Sequence, residues 1–297
     1  MRAREGFAVA RDGAPIYYRV LGPPSSEQIP IILLDGIGCD GYVWKYLERG
    51  LGDRHRLIHF HYRGHGRTPV PSDRRRVAMA DLADDVDVVL EATDTPRAAL
   101  AGHSMGVQVA LETFRRHRDR VAGLVLLCGS YGNPLRTFKG KATLEALLPY
   151  VSFAVRHAPD VLLSAWRNLL PSRLAFAVAA RVELNAELIQ LEDFMPYLEH
   201  MARVDPSLFL EMLGHAGRHT AREILPAVDV PTLIVAGERD GFTPRSLSEE
   251  MHRLIAGSEL LVVEGGSHTA PIERPQLVTD AVARFLAAGG AARARAT

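Results

Sequence analysis

Residues 98–117 read AALAGHSMGVQVALETFRRH. Ala98 to Gly102 is a short apolar run, and Met105 to His117 has the spacing and composition of an amphipathic helix. Between them lies Gly102-His103-Ser104-Met105-Gly106, a G-x-S-x-G match. A tight strand-to-helix turn needs small flanking residues, which Gly102 and Gly106 supply. It leaves Ser104 exposed at the carboxyl end of a strand, beside the free N–H groups of a helix N-terminus. An ordinary turn is the plain alternative. The strand before and the helix after are the context that makes this a candidate nucleophile.

The same alternation extends outward. Pro30–Leu34, Arg56–Phe60, Gly123–Leu127, Pro231–Gly237 and Glu259–Gly265 read as strands. Tyr42–Leu51, Met79–Ala92, Leu247–Ile255 and Pro275–Ala287 read as helices. Near-continuous apolar strands separated by helices predict a parallel sheet covered on both faces. Phe7 to Val20 alternates around Asp12-Gly13 and predicts a hairpin. From Tyr131 to Arg222 helix formers and prolines dominate and no strand stands out. The expected organisation is a core of residues 1–130 and 223–297, with a helical cap inserted over 131–222.

A serine hydroxyl needs a base, and the base needs an orienting acid. Among twelve histidines, His268 follows the last expected strand on a glycine-rich loop, Glu264-Gly265-Gly266-Ser267-His268. Asp240 follows the preceding strand, with Glu238 as its close rival. All three groups then fall on one edge of the sheet, in the order Ser, Asp, His.

On these motifs the chain resembles the α/β-hydrolase superfamily, of the lipase, esterase and C–C hydrolase type, over nearly its whole length. The resemblance implies a mostly parallel eight-stranded sheet with helices on both faces. It implies Ser104 as nucleophile, His268 as general base and acid, and Asp240 as orienting acid. The oxyanion donors implied are the backbone N–H groups of Met105 and Ile37. Nucleophilic serine argues against epoxide opening and dehalogenation, which pass through an aspartyl ester.

Two positions depart from the family. Relatives usually carry His-Gly where this chain has Asp35-Gly36, and an aspartate where it has His61 in His61-Tyr62-Arg63-Gly64-His65-Gly66-Arg67-Thr68. The expectation is a mirrored support: Asp35 and His61 pair across neighbouring strands beneath the oxyanion loop. The plain alternative leaves Asp35 in solvent.

The remaining signals are limiting. Net charge is zero and the pI is near 7, which argues against nucleic-acid binding. The run Arg74-Arg75-Arg76 reads as a solvated loop. Cys39 and Cys128 form no CxxC pair, and a reduced, cytoplasmic protein is expected. Cys39 reads as a packing residue. MRAREGFAVARDG lacks the apolar core of a signal peptide, and no apolar run reaches membrane-spanning length. The tail AGGAARARAT is expected to fray. His59 and His61 share a strand face but lack a third metal ligand, and His103 reads as structural. Gly64-His65-Gly66 lacks the lysine of a phosphate loop. No cofactor and no metal are expected.

The cap is rich in apolar groups, among them Leu147, Leu148, Phe176, Tyr197, Phe209 and Met212. Most should pack, and the remainder should line a pocket for a small apolar substrate. Three functions are open. They are hydrolysis of carboxylic esters; C–C, lactone or cofactor-free perhydrolytic chemistry on the same triad; and ligand binding without catalysis.

Overall fold

The computed structural model describes residues 3–23, 28–137, 143–182 and 184–294. Its strands are β1 (Arg4–Val9), β2 (Pro15–Leu21), β3 (Ile31–Leu34), β4 (Leu57–Phe60), β5 (Ala98–His103), β6 (Val121–Leu127), β7 (Thr232–Gly237) and β8 (Glu259–Val263). They form an eight-stranded sheet in the order β1-β2-β4-β3-β5-β6-β7-β8. Only β1–β2 and β2–β4 are antiparallel; every later pair is parallel. The hairpin lies where Asp12-Gly13 puts it, with Phe7 opposite Tyr17 and Gly13 in the left-handed region.

The helices are α1 (Lys45–Leu51), α2 (Met79–Ala92), α3 (Met105–Arg116), α4 (Pro134–Thr137), α5 (Thr143–His157), α6 (Pro159–Leu169), α7 (Arg173–Val182), α8 (Leu191–Met201), α9 (Pro206–Arg218), α10 (Arg245–Leu254), α11 (Ala270–Glu273) and α12 (Pro275–Ala294). Helix α12 runs past Ala287, where the sequence pattern ends it. Its extension is rich in alanine, the strongest helix former. The last three residues of the tail lie outside the described residues.

Alternation along the strands builds two cores. Ile32, Leu34, Leu100, Leu124 and Leu126 face one side and pack with α2, α3 and α10. Ile31, Leu33, Ala99, Ala101 and Val125 face the other and pack with α1, α8 and α12. Every central strand is buried on both faces, as parallel strands under helices must be.

Helices α4 to α9 all fall between β6 and β7. Their ends are drawn together by a bridge between Gly132 and Thr220, flanked by bonds from Ala221 N to Tyr131 O and from Asn133 N to His219 O. A Cβ on Gly132 would meet the His219 carbonyl oxygen at 2.3 Å, so this neck closes only on glycine.

Candidate active site

Strands β3, β5, β6, β7 and β8 run parallel, so their carboxyl ends share one edge. Ser104 lies there, between β5 and α3, with φ 56° and ψ −119°. That is a strained conformation for a residue with a side chain. Packing enforces it. A Cβ on Gly102 would come within 2.3 Å of the Gly106 carbonyl oxygen, and one on Gly106 within 2.1 Å of the Leu34 oxygen. Strand, helix and neighbouring strand therefore meet at contact distance, and Ser104 is what projects.

His268 reaches Ser104 from the loop after β8. Its Nε2 lies 2.8 Å from Ser104 Oγ, and its Nδ1 lies 2.9 Å from Asp240 Oδ2. A carboxylate can only accept, so Nδ1 carries the proton and Nε2 accepts from the serine hydroxyl. Asp240 also accepts from the N–H groups of Phe242 and Thr243 and from Thr243 Oγ1, which fix its plane. Glu238 is engaged elsewhere, accepting from Gly265 N at 2.8 Å. The three residues that the sequence pattern singles out are thus brought together, and the rival acid is not.

The loop carrying His268 is held by groups the sequence did not flag. Buried Glu273 accepts from Ser267 N, Ser267 Oγ, Thr269 Oγ1 and Asn185 N. His103 Nε2 donates to the His268 carbonyl at 2.9 Å, and burial lowers the pKa of His103 to about 4. His103 is therefore a neutral anchor for the loop that carries His268.

The loop after β3 adjoins Ser104 at the cavity, where a Cβ on Gly36 would lie 3.1 Å from Ser104 Cβ. Ile37 and Met105 both line the cavity, and neither backbone N–H has an acceptor among the described residues. Gly38 N donates to His65 Nε2 at 3.1 Å, while His65 Nδ1 donates to Arg63 O. Fully buried His65, its pKa lowered by burial to about 4, thereby braces this loop as a neutral ring. The sequence offered His65 only as part of a phosphate-loop lookalike.

Asp35 is completely buried at the tip of β3. The expected pair with His61 does not form. Asp35 instead accepts from Trp44 Nε1 at 2.7 Å and from His59 Nε2 at 2.8 Å. Arg19 Nε can only donate and bonds His59 Nδ1 at 3.3 Å, so His59 carries its proton on Nε2. Arg19 in turn binds Glu48 at 2.6 Å. His61 lies beyond the last residue of β4. Its Nδ1 accepts from Arg67 N at 2.8 Å, closing the turn at residues 61–67. Burial, then the neighbouring His59, lowers the pKa of His61 to about 3. Spacing two put both histidines on one face; only the turn decides which is free to reach Asp35.

The cavity beside Ser104 has a volume of about 360 Å³. Leu135, Leu148, Val151, Phe209, Leu213 and Phe242 give it an apolar wall. No Lys, Arg, Asp or Glu lines it among the described residues. Cys39 borders it, but its thiol points at Ile37 O and burial raises its pKa well above the ordinary value. That favours a packing role over a second nucleophile. The Arg74–Arg76 run is occupied by acids: Asp205, Asp73, and Asp12 with Asp81. No cluster of three or more metal-ligating side chains occurs among the described residues. No helix among them is long and apolar enough to cross a membrane.

Comparison with known proteins agrees with the fold. A family model described as the α/β hydrolase fold matches residues 29–275. A pimeloyl-[acyl-carrier protein] methyl ester esterase from Neisseria meningitidis is 30% identical over 210 residues, covering 69% of this chain and 73% of its own. Among solved structures, an enol-lactonase from Burkholderia xenovorans superposes with a TM-score of 0.77 at 22% identity, covering 95% of this chain and 100% of its own. A thermophilic esterase from Thermogutta terrifontis gives 0.76 at 24% identity, covering 97% and 99%. The chain belongs to the α/β-hydrolase fold family, and it is an enzyme of that family.

Proposed function

We propose that the protein is a serine hydrolase of small to medium apolar carboxylic esters. The observation that carries this is the hydrogen-bonded chain from Ser104 through His268 to Asp240, opening on an apolar cavity. In this reading Ser104 Oγ attacks the ester carbonyl carbon as its proton passes to His268 Nε2. Asp240 keeps the Nδ1 proton in place and stabilises the imidazolium. The carbonyl oxygen, now an anion, is met by the N–H groups of Met105 and Ile37, whose freedom from other acceptors suits them to it. Collapse expels the alcohol, which takes the proton from His268. Water then repeats the sequence against the acyl-enzyme and releases the acid.

The stretch 131–222 acts in this reading as a cap over a core of residues 1–130 and 223–297. Support comes from Leu135, Leu147, Leu148, Val151, Tyr197 and Phe209, which are drawn from that stretch and wall the cavity against water. The esterase name of the meningococcal relative agrees with ester chemistry.

A fluorophosphonate probe and p-nitrophenyl esters of increasing chain length test the proposal. Labelling should map to Ser104, and Ser104→Ala should lower kcat by roughly 10⁴-fold or more. Absence of labelling in folded protein would reduce the site to a binding pocket. Labelling without turnover of any ester would transfer the triad to lactone, C–C or perhydrolytic chemistry.

A further inference from the structure

Gln108 is a polar exception in the apolar cavity wall. It lies in the first turn of α3, four residues after Ser104, and both residues line the cavity. The residue is only 1% exposed. Its Nε2 donates to the Ala216 carbonyl at 2.9 Å and lies 3.3 Å from His219 Nδ1. His219 Nε2 lies 3.1 Å from Glu112 Oε2, a group that only accepts. The His219 hydrogen therefore sits on Nε2, and Nδ1 is the atom left to accept from the Gln108 amide. Both amide hydrogens of Gln108 are thereby used, and the amide cannot flip without turning its oxygen on the Ala216 oxygen.

That leaves Oε1. It accepts no hydrogen bond among the described residues, yet it is absent from the sealed, unpartnered polar atoms of the interior. It is an oriented acceptor open to an apolar cavity. Such a group weakens the folded state unless something with an O–H or N–H completes it. Ser104 and Gln108 line the same cavity, so a donor carried on an acyl chain can meet Oε1 while its carbonyl meets Ser104 Oγ.

We infer that Gln108 Oε1 is a specificity determinant, selecting uncharged acyl substrates that carry a hydrogen-bond donor on the acyl chain, as 3-hydroxyacyl esters do. The inference rests on Ser104 being the nucleophile. The absence of any Lys or Arg from the described lining restricts the acyl group to an uncharged one.

Three matched p-nitrophenyl esters test it: hexanoate, 3-hydroxyhexanoate and 3-methoxyhexanoate. The methoxy compound keeps the oxygen and loses the donor. The native enzyme should favour hydroxy over methoxy by at least about tenfold in kcat/KM. Gln108→Met should bring that ratio to near one while hexanoate is still hydrolysed. A purely structural Gln108, latching α3 to the end of α9, would lower all three rates together and leave the ratio alone; that result overturns the inference. A native ratio near one also overturns it, whether or not the variant folds. Failure of all three esters, with no labelling of Ser104, overturns the nucleophile reading and this inference with it.

Discussion

Asp35 illustrates how one buried residue depends on its partners. A carboxylate removed from water must be met by donors, and here Trp44 and His59 supply them. Asp35→Ala leaves an indole N–H and an imidazole N–H buried without acceptors. The expected cost is about 3–5 kcal/mol, with lowered kcat because Ile37 follows two residues later. His61→Ala removes the acceptor for Arg67 N and a ring packed against Tyr17 and His59, but no partner of Asp35, so it should cost about 1–3 kcal/mol and spare Asp35. Urea unfolding of the two variants checks the order; equal losses would return His61 to the support of Asp35. The sequence did single out Asp35 as a residue in need of a partner. It could not choose between His59 and His61, because alternation gives both the same face and the choice lies in the turn that follows β4.

At the scale of elements, the strands and helices were legible because their patterns are strong. The apolar runs at β3, β5 and β6 admit only buried strands, and α2 ends where its periodicity ends. What escaped were side chains that act across elements: Gln108 on α3 touching the end of α9, and Glu273 on α11 gathering donors from two loops. A single polar residue within an apolar helix face was the one available signal for Gln108. Packing at the elbow gives a second prediction. Gly106→Ala places a methyl 2.1 Å from the Leu34 oxygen. Since backbone must move, activity should fall at least about 100-fold, with thermal unfolding shifted downward. Wild-type kinetics in that variant would mean that β3 and α3 are less tightly joined.

Three buried, neutral histidines lie near the sheet edge, two in the turn after β4 and one at the end of β5: His61 at about 3, and His65 and His103 at about 4. The unfolded value is about 6.5, so between pH 6.5 and 4 the unfolded chain binds more protons than the native one. The stability these rings contribute is complete above pH 6.5 and drains away as pH falls toward 4. Each adds a slope of up to about 1.4 kcal/mol per pH unit. Melting temperature should therefore drop steeply over that window, and less steeply in His61→Phe. A flat profile from pH 7 to 4.5 would contradict the assignment.

For the whole molecule, Arg63 ties the hairpin turn to the layer of helices. It binds Asp85 on α2 through Nε and Nη2, and Asp12 in the turn through Nη1. Burial raises Asp85 to about 6 even so, although Arg63 opposes that shift. Arg63→Met leaves the carboxylate buried without its cation, at about 3–5 kcal/mol. The variant should lose up to roughly 10 °C in Tm near neutral pH, and the deficit should narrow as pH falls toward 6, where Asp85 takes up a proton in the native protein too. A deficit independent of pH would show that Arg63 acts through packing alone.

The neck at Gly132 and Thr220 has a further consequence. Strands β6 and β7 are hydrogen-bonded neighbours whatever lies between them in sequence. The excursion leaves and returns at almost one point, so its length is no constraint on the strand order. In the proposed reading, with this stretch as a cap, the chain is built like a fixed stage with an interchangeable roof. Insertions, losses and wholesale exchange between Gly132 and Thr220 can reshape what enters the chamber while Ser104, Asp240 and His268 keep their relative positions. Descendants of this architecture can therefore diverge in diet without relearning how to fold.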